Sequence, residues 1–239
     1  MLKHYEQVVE FMKTFGQDVH VTPVAPTTRV AKLRVELIRE ELVDELVPAI
    51  GCDDIVEIAD ALTDILYVAY GAHAAFGTLP SETGRYVNPE AFANLSAVHA
   101  PNVFQANNAV GQMLHALDTM DELFSDASPH GFEFIVGDAL DTIIDSAYRL
   151  AFQSGIDIFK CFEEVHSSNM SKVCKTRIEA ENSIQWRIDN APTSDVVANY
   201  TGAYVDEVNG FFVIKRRKDG KGLKGRNYFD PNLKDILGL

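Results

Sequence analysis

Apolar and polar positions follow a helical period along most of this chain. Residues 3–15 place Tyr5, Val8, Val9, Phe11 and Met12 on one side, and Gly16 ends the run. Residues 18–27 carry Pro23 and Pro26 and read as extended. Thr27-Thr28 cap a helix predicted over 29–49, stopped near Pro48 and Gly51. Asp53-Asp54 supply the next cap, for a helix that runs to Gly77. From Ile55 to Ala69 that helix is apolar almost all round, the pattern of a buried helix. Residues 78–102 hold Pro80, Gly84, Pro89 and Pro101 and read as a connector with one turn between Pro89 and Val98. Helical periodicity returns over 103–126, 132–154 and 157–172, with a break at Ser128-Pro129-His130-Gly131. A polar helix is expected over 176–190 and a loop over 191–202. Two β-prone runs flank Asn209-Gly210, the strongest short-range hairpin signal a sequence offers. The pattern predicts a mainly α chain with one small C-terminal β-hairpin.

Two of the helical stretches match each other, 78 positions apart. Asp60-Ala61-Leu62 leads through Tyr70 to Gly77, and Asp138-Ala139-Leu140 leads through Tyr148 to Gly155. Asp-Glu-Leu at 44–46 recurs at 121–123. Aligning these places Asp118 and Asp121 opposite Glu41 and Asp44, and Asp138 opposite Asp60, after a one-residue slip. Ile135 stands where the first copy has Glu57. The expected organisation is a first helical repeat over 1–77, a connector over 78–102, a second, degenerate repeat over 103–175, and a closing segment over 176–239 with a helix and the hairpin.

Charge narrows the function. The 239 residues carry 35 acidic against 21 basic side chains, a net charge of −14. That argues against a nucleic-acid binder, which needs a basic face to displace counterions. It suits a chain that gathers carboxylates around a cation. Three cysteines form no CxxC pair, the start lacks an apolar leader, and no apolar stretch is long enough to span a bilayer. A cytoplasmic protein without a membrane segment is expected.

The candidate chemistry lies in two acid pairs. Glu41 and Asp44 are three apart on one predicted helix, and Glu57 and Asp60 three apart on the next. That spacing puts each pair on one face. A short turn between antiparallel helices would bring the pairs together, where four carboxylates need a cation. Oxygen donors suit Mg²⁺, or Mn²⁺. Glu57, Asp60 and Asp64 follow helical spacing along the apolar helix, so they share its one polar face. The register of the first helix leaves Asp44 and Glu45 both open. His115 and His166 have no ligand partners at useful spacing and read as structural.

EELVDE at 40–45 followed by EIAD at 57–60 and ALTDILYVAYG at 61–71 resembles the MazG-like, all-α nucleoside triphosphate pyrophosphohydrolases. Two further segments are similar to that superfamily: EEVHSSNMSKVCKT at 163–176, with Ser167 where Arg is common, and DGKGLKGRNYFDPNLKDIL at 219–237, with Arg226 for a frequent Pro. Asp44 stands where the family pattern has Glu. The resemblance implies hydrolysis of a nucleoside triphosphate to the monophosphate and pyrophosphate. It implies Mg²⁺ on Glu41, Asp44, Glu57 and Asp60, with Glu40 or Asp64 as the catalytic base or as a support for the ligands. It further implies substrate contacts from Lys160, Asn169, Lys172, Lys224 and Tyr228. Since members assemble from helical subunits, a fused pseudo-dimer is expected, with metal ligands from the first repeat and the Asn-Met-Ser-Lys tail from the second. A homodimer of such chains is compatible with this. Two alternatives stand beside it: phosphoribosyl-ATP as the substrate, and a non-catalytic nucleotide- or metal-binding helical protein.

Overall fold

The computed structural model describes residues 2–81, 89–125, 131–218 and 220–239. Gly84 of the connector, the break at 128–130 and Asp219 of the tail lie outside them. The chain divides into two units. One comprises Met1–Val9, Asp18–Val165 and Asn232–Leu239, the other Glu10–Gln17 and His166–Pro231.

The first unit is built from α1 (Leu2–Thr14), α2 (Thr28–Arg39), a π-helix (Glu40–Leu46), α3 (Val47–Gly51), α4 (Ile55–Phe76), α5 (Val103–Ser125), α6 (Phe132–Gln153), α7 (Ile158–Met170) and α10 (Leu233–Leu237). The boundary between the units passes through α1 and α7. α2, the π-helix and α3 form one unbroken run from 28 to 51 that packs along α4, α5 packs along α6, and α4 packs along α6. The run ends at Gly51, within the stop expected near Pro48 and Gly51. Pro48 lies inside this run, just after the π-helix. Thr27 caps α2 by accepting from the Val30 N–H at 3.3 Å, and Asp54 caps α4 by accepting from Val56 and Glu57 at 3.2 and 3.3 Å. Residues 89–94 of the connector form a short 3₁₀ turn.

The apolar periodicity predicts the core. Ile38, Leu42, Leu46, Ile58, Leu62, Ile65 and Leu66 are fully buried, as are Leu117, Leu140 and Ile143 of α5 and α6. Each such side chain contributes roughly 1.5–3 kcal/mol relative to an exposed one. Two polar features lie within this core. Tyr70 and Tyr148, equivalent positions of the two matching stretches, meet hydroxyl to hydroxyl at 3.2 Å, and the Tyr148 hydroxyl also meets His4 Nδ1 at 2.6 Å. Burial pushes both phenols above their usual range. His73 is buried as well, with Nδ1 2.8 Å from the Thr78 hydroxyl and Nε2 3.5 Å from Asp141.

An extended strap precedes the long helix of each hairpin, and both straps cross in the same way. The Val24 N–H, three residues before the Thr27 cap, donates to the carbonyl of Phe76, the residue before Gly77. The His99 N–H, three residues before Asn102, donates to the carbonyl of Ser154, the residue before Gly155. Both glycines are left-handed, with φ of 70°. A Cβ on Gly77 would lie 1.9 Å from the Thr22 carbonyl oxygen, and one on Gly155 2.7 Å from that of Ser96, so the close crossing requires glycine at both places.

The second unit holds α8 (Arg177–Asp189), α9 (Ser194–Tyr200) and the hairpin β1 (Tyr204–Val208) and β2 (Phe211–Lys215), paired antiparallel from Tyr204 opposite Lys215 to Val208 opposite Phe211. Asn209 and Gly210 both have positive φ, as a two-residue hairpin turn requires. The loop expected over 191–202 contains α9 instead. Thr193 caps it at 3.4 Å, and Tyr200 drops into a core with Cys174, Ala180, Ile214 and Leu223. A short helix pinned by one buried aromatic carries little periodic signal of its own. Among the described residues no helix is long and apolar enough to cross a membrane.

Candidate functional site

The π-helix and α4 together form an acidic pocket of about 260 Å³, lined by Glu41, Glu45, Glu57, Asp60, Ala61 and Asp64. Each side chain is placed by its helix. On α4 the acids at 57, 60 and 64 fall on one face at α spacing, while Ile58, Ala59, Leu62 and Ile65 face the core. Asp60 and Asp64 are half-buried and Glu57 is exposed, which keeps the pocket open to water. On the opposite helix the spacing is four. The Val47 N–H bonds to the Leu42 carbonyl, an i→i+5 bond that marks the widened turn.

Of the expected ligands, Glu41, Glu57 and Asp60 come together. Asp44 is exposed and is not among the residues that line the pocket; Glu45 is. Of the two candidate bases, Asp64 lines the pocket and Glu40, exposed, does not. A signal for this register exists in the sequence: Ile38, Leu42 and Leu46 are apolar at strict steps of four. In an ordinary α-helix such a row drifts around the axis, and a wider turn keeps it straight. Apart from Ala61 the lining is carboxylate only, and this donor set suits a hard divalent cation. As placed, no three His, Cys, Asp or Glu side chains among the described residues stand close enough to hold one ion. The carboxylates therefore have to turn inward to bind one.

Lys160 does not line this pocket; it is exposed and pairs with Asp157 at 2.8 Å, and that hydrogen bond raises its pKa. In the second unit the other expected substrate residues cluster. Lys172 donates to the Asn169 side-chain carbonyl at 2.5 Å, and the Lys172 and Lys224 ammonium groups lie 5.8 and 4.1 Å from the centre of the Tyr228 ring. Burial works against the Lys224 charge, but its hydrogen bonds to Tyr228 and Asp230 outweigh that and raise its pKa. Residues some fifty positions apart thus converge on one aromatic ring, which the spacing alone does not reveal. His166 is buried, with Nε2 3.7 Å from Glu10, and His115 is exposed.

The positions of the second matching stretch differ from those of the first. Ile135 and Asp138 are exposed, and Asp121 is bound by the Arg39 guanidinium at 2.7 Å.

Residues 8–88, which hold the whole acidic pocket, match the family model described as phosphoribosyl-ATP pyrophosphohydrolase. The chain is also 31% identical over 245 residues to "Uncharacterized protein L479" of Acanthamoeba polyphaga mimivirus, an alignment that covers 98% of this chain and 95% of that protein. The chain belongs to the MazG-like nucleoside triphosphate pyrophosphohydrolase superfamily. No solved structure matches it. Within that superfamily its chemistry is that of a pyrophosphohydrolase, acting on an acid anhydride bond.

Proposed function

We propose that this superfamily member hydrolyses a nucleoside triphosphate to the monophosphate and pyrophosphate, using Mg²⁺ or Mn²⁺. The observation that carries the proposal is the convergence of Glu41, Glu57, Asp60 and Asp64 from two antiparallel helices on one carboxylate-lined pocket. The bound cation supplies charge neutralisation at the phosphates and acidifies a water. Glu41, Glu57 and Asp60 hold it. Asp64, on the same face one turn further along α4, takes the proton of the attacking water. Water bonds to the α-phosphorus, the bond to the bridging oxygen breaks, and pyrophosphate leaves with the electron pair. Within the second unit, Lys172 and Lys224 offer cationic contacts, Tyr228 an aromatic one and Asn169 a polar one suited to a nucleotide.

We further infer an internal duplication in which the second repeat completes the fold without holding a metal. The identical strap crossings at Gly77 and Gly155 and the meeting of Tyr70 with Tyr148 support it. Equivalent residues touch each other where an isologous pairing has its axis.

Pyrophosphate release from a panel of dNTPs, NTPs and phosphoribosyl-ATP, with Mg²⁺ and with EDTA, tests the proposal. Metal-dependent turnover of a dNTP or NTP supports it. Turnover of phosphoribosyl-ATP alone selects the second substrate class, which the family description of residues 8–88 favours. No release from any substrate overturns catalysis and leaves a binding protein.

A further inference from the structure

The segment 40–46 differs from the helix on either side of it in one respect, its hydrogen bonding, and that difference selects which acid faces the pocket. The Glu40 N–H is shared between the carbonyls of Glu36 and Leu37, and the Val47 N–H reaches back to Leu42. A turn closed by i→i+5 bonds takes more than about four residues, against about 3.6 in an α-helix. Three residues then cover less than three-quarters of a turn, so a side chain three positions on points more than a quarter-turn away. Four residues come close to a full turn. Ile38, Leu42 and Leu46, spaced by four, accordingly all stay fully buried. Glu41 and Glu45, each one residue before a buried leucine, form a second row beside them and line the pocket. Asp44, three residues from Glu41, is exposed outside it. Asp44 and Glu45 are otherwise alike: both are acids, both exposed, one position apart.

We infer that Glu45, not Asp44, completes the cation site with Glu41, Glu57 and Asp60, and that the π-helix is the device that brings it there. The inference rests on the proposed function, since it concerns a ligand of the same site. A glutamate at 45 has one methylene more than an aspartate, which gives the inward swing that the open pocket requires. Asp44 is left as a solvated charge with no part in binding.

The test measures Mn²⁺ affinity directly, by electron paramagnetic resonance of free Mn²⁺ with the purified full-length chain, without substrate. D44N, E45Q and D60N are compared with the unmutated protein, and circular dichroism checks that each is folded. The expected result is that E45Q and D60N each weaken Mn²⁺ binding by tenfold or more, while D44N stays within twofold. Weakening by D44N with E45Q unaffected overturns the inference, as does equal weakening by both or by neither. If D60N weakens binding and E45Q does not, the inference about Glu45 fails while the proposed site stands. If the unmutated chain binds no Mn²⁺, the proposed metal-dependent function fails with it.

Discussion

Single side chains in this protein are set by what surrounds them rather than by their type. The three cysteines show this. Cys161 is fully buried, and that burial, with Asp157 and Asp60 nearby, pushes its thiol up to about 12. Cys174 is buried too and its pKa is raised, while Cys52 is exposed at the end of α3. Thiolate is the reactive form. The native protein is expected to release one equivalent of thionitrobenzoate rapidly from Ellman's reagent at pH 8, and three only after unfolding. Two fast thiols would show that the core around Cys161 or Cys174 opens readily. The acid pocket obeys the same logic. Glu41, Glu57, Asp60 and Asp64 were legible in the sequence because they sit on helices whose apolar faces leave one polar direction. Acid spacing did not separate Asp44 from Glu45, because it assumes an α-helical turn that the segment 40–46 does not have; only the apolar steps of four at Ile38, Leu42 and Leu46 hold that signal. Lys224 and Tyr228 are near each other in the chain, but Lys172, which donates to Asn169, reaches the same ring only through the fold of the second unit.

At the level of elements, long amphipathic runs declared themselves and short ones did not. α4, α5 and α6 match their predicted ranges to within one or two residues because each buries a full apolar face. α9 has seven residues and is held by a Thr cap and the buried Tyr200, so composition alone made it look like loop. The straps carry a prediction of their own. Gly77 and Gly155 end α4 and α6 in left-handed geometry and are pressed against a carbonyl of the crossing strap, whereas Gly131 is left-handed and a Cβ there would meet nothing within 4 Å among the described residues. Alanine at a left-handed position costs roughly 1–2 kcal/mol from sterics within the residue. Gly131→Ala should cost no more than that. Gly77→Ala must in addition displace the Thr22 carbonyl, and Gly155→Ala that of Ser96, so both should cost more, with Gly77→Ala the largest. Urea unfolding with a common m-value measures all three. A Gly77→Ala protein as stable as Gly131→Ala would mean that the strap yields without cost.

For the molecule as a whole, the question is how far the two helical hairpins are equivalent. They share a packing arrangement, a strap crossing and a tyrosine pair at their meeting point. Removing the Tyr148 hydroxyl takes the 2.6 Å partner from His4 Nδ1 and the 3.2 Å partner from Tyr70, so Tyr148→Phe should destabilise by about 1–3 kcal/mol, and Tyr70→Phe by less. The two changes share one contact, and the double variant should therefore be less destabilised than the sum. A sum that is additive would show that the hydroxyls do not interact. In the placement of their acids, by contrast, the hairpins differ. The first presents five carboxylates to one pocket. At the matching positions the second presents an exposed isoleucine, an exposed Asp138, and an Asp121 already bound to Arg39. Ile135 offers no donor at the position that matches Glu57, and Arg39 already pairs with Asp121, and these two differences underlie our proposal that only the first hairpin holds a cation. Titration with Mn²⁺ should accordingly saturate at one high-affinity ion per chain. Asp138→Asn and Asp118→Asn should leave both the stoichiometry and pyrophosphate release within twofold of the unmutated protein, while Glu57→Ala and Asp60→Asn lower release by about 100-fold or more. Two equivalent ions per chain, or a loss of turnover in Asp138→Asn comparable to that in Asp60→Asn, would mean that both hairpins remain active and that the asymmetry read from Ile135 has no consequence for the chemistry.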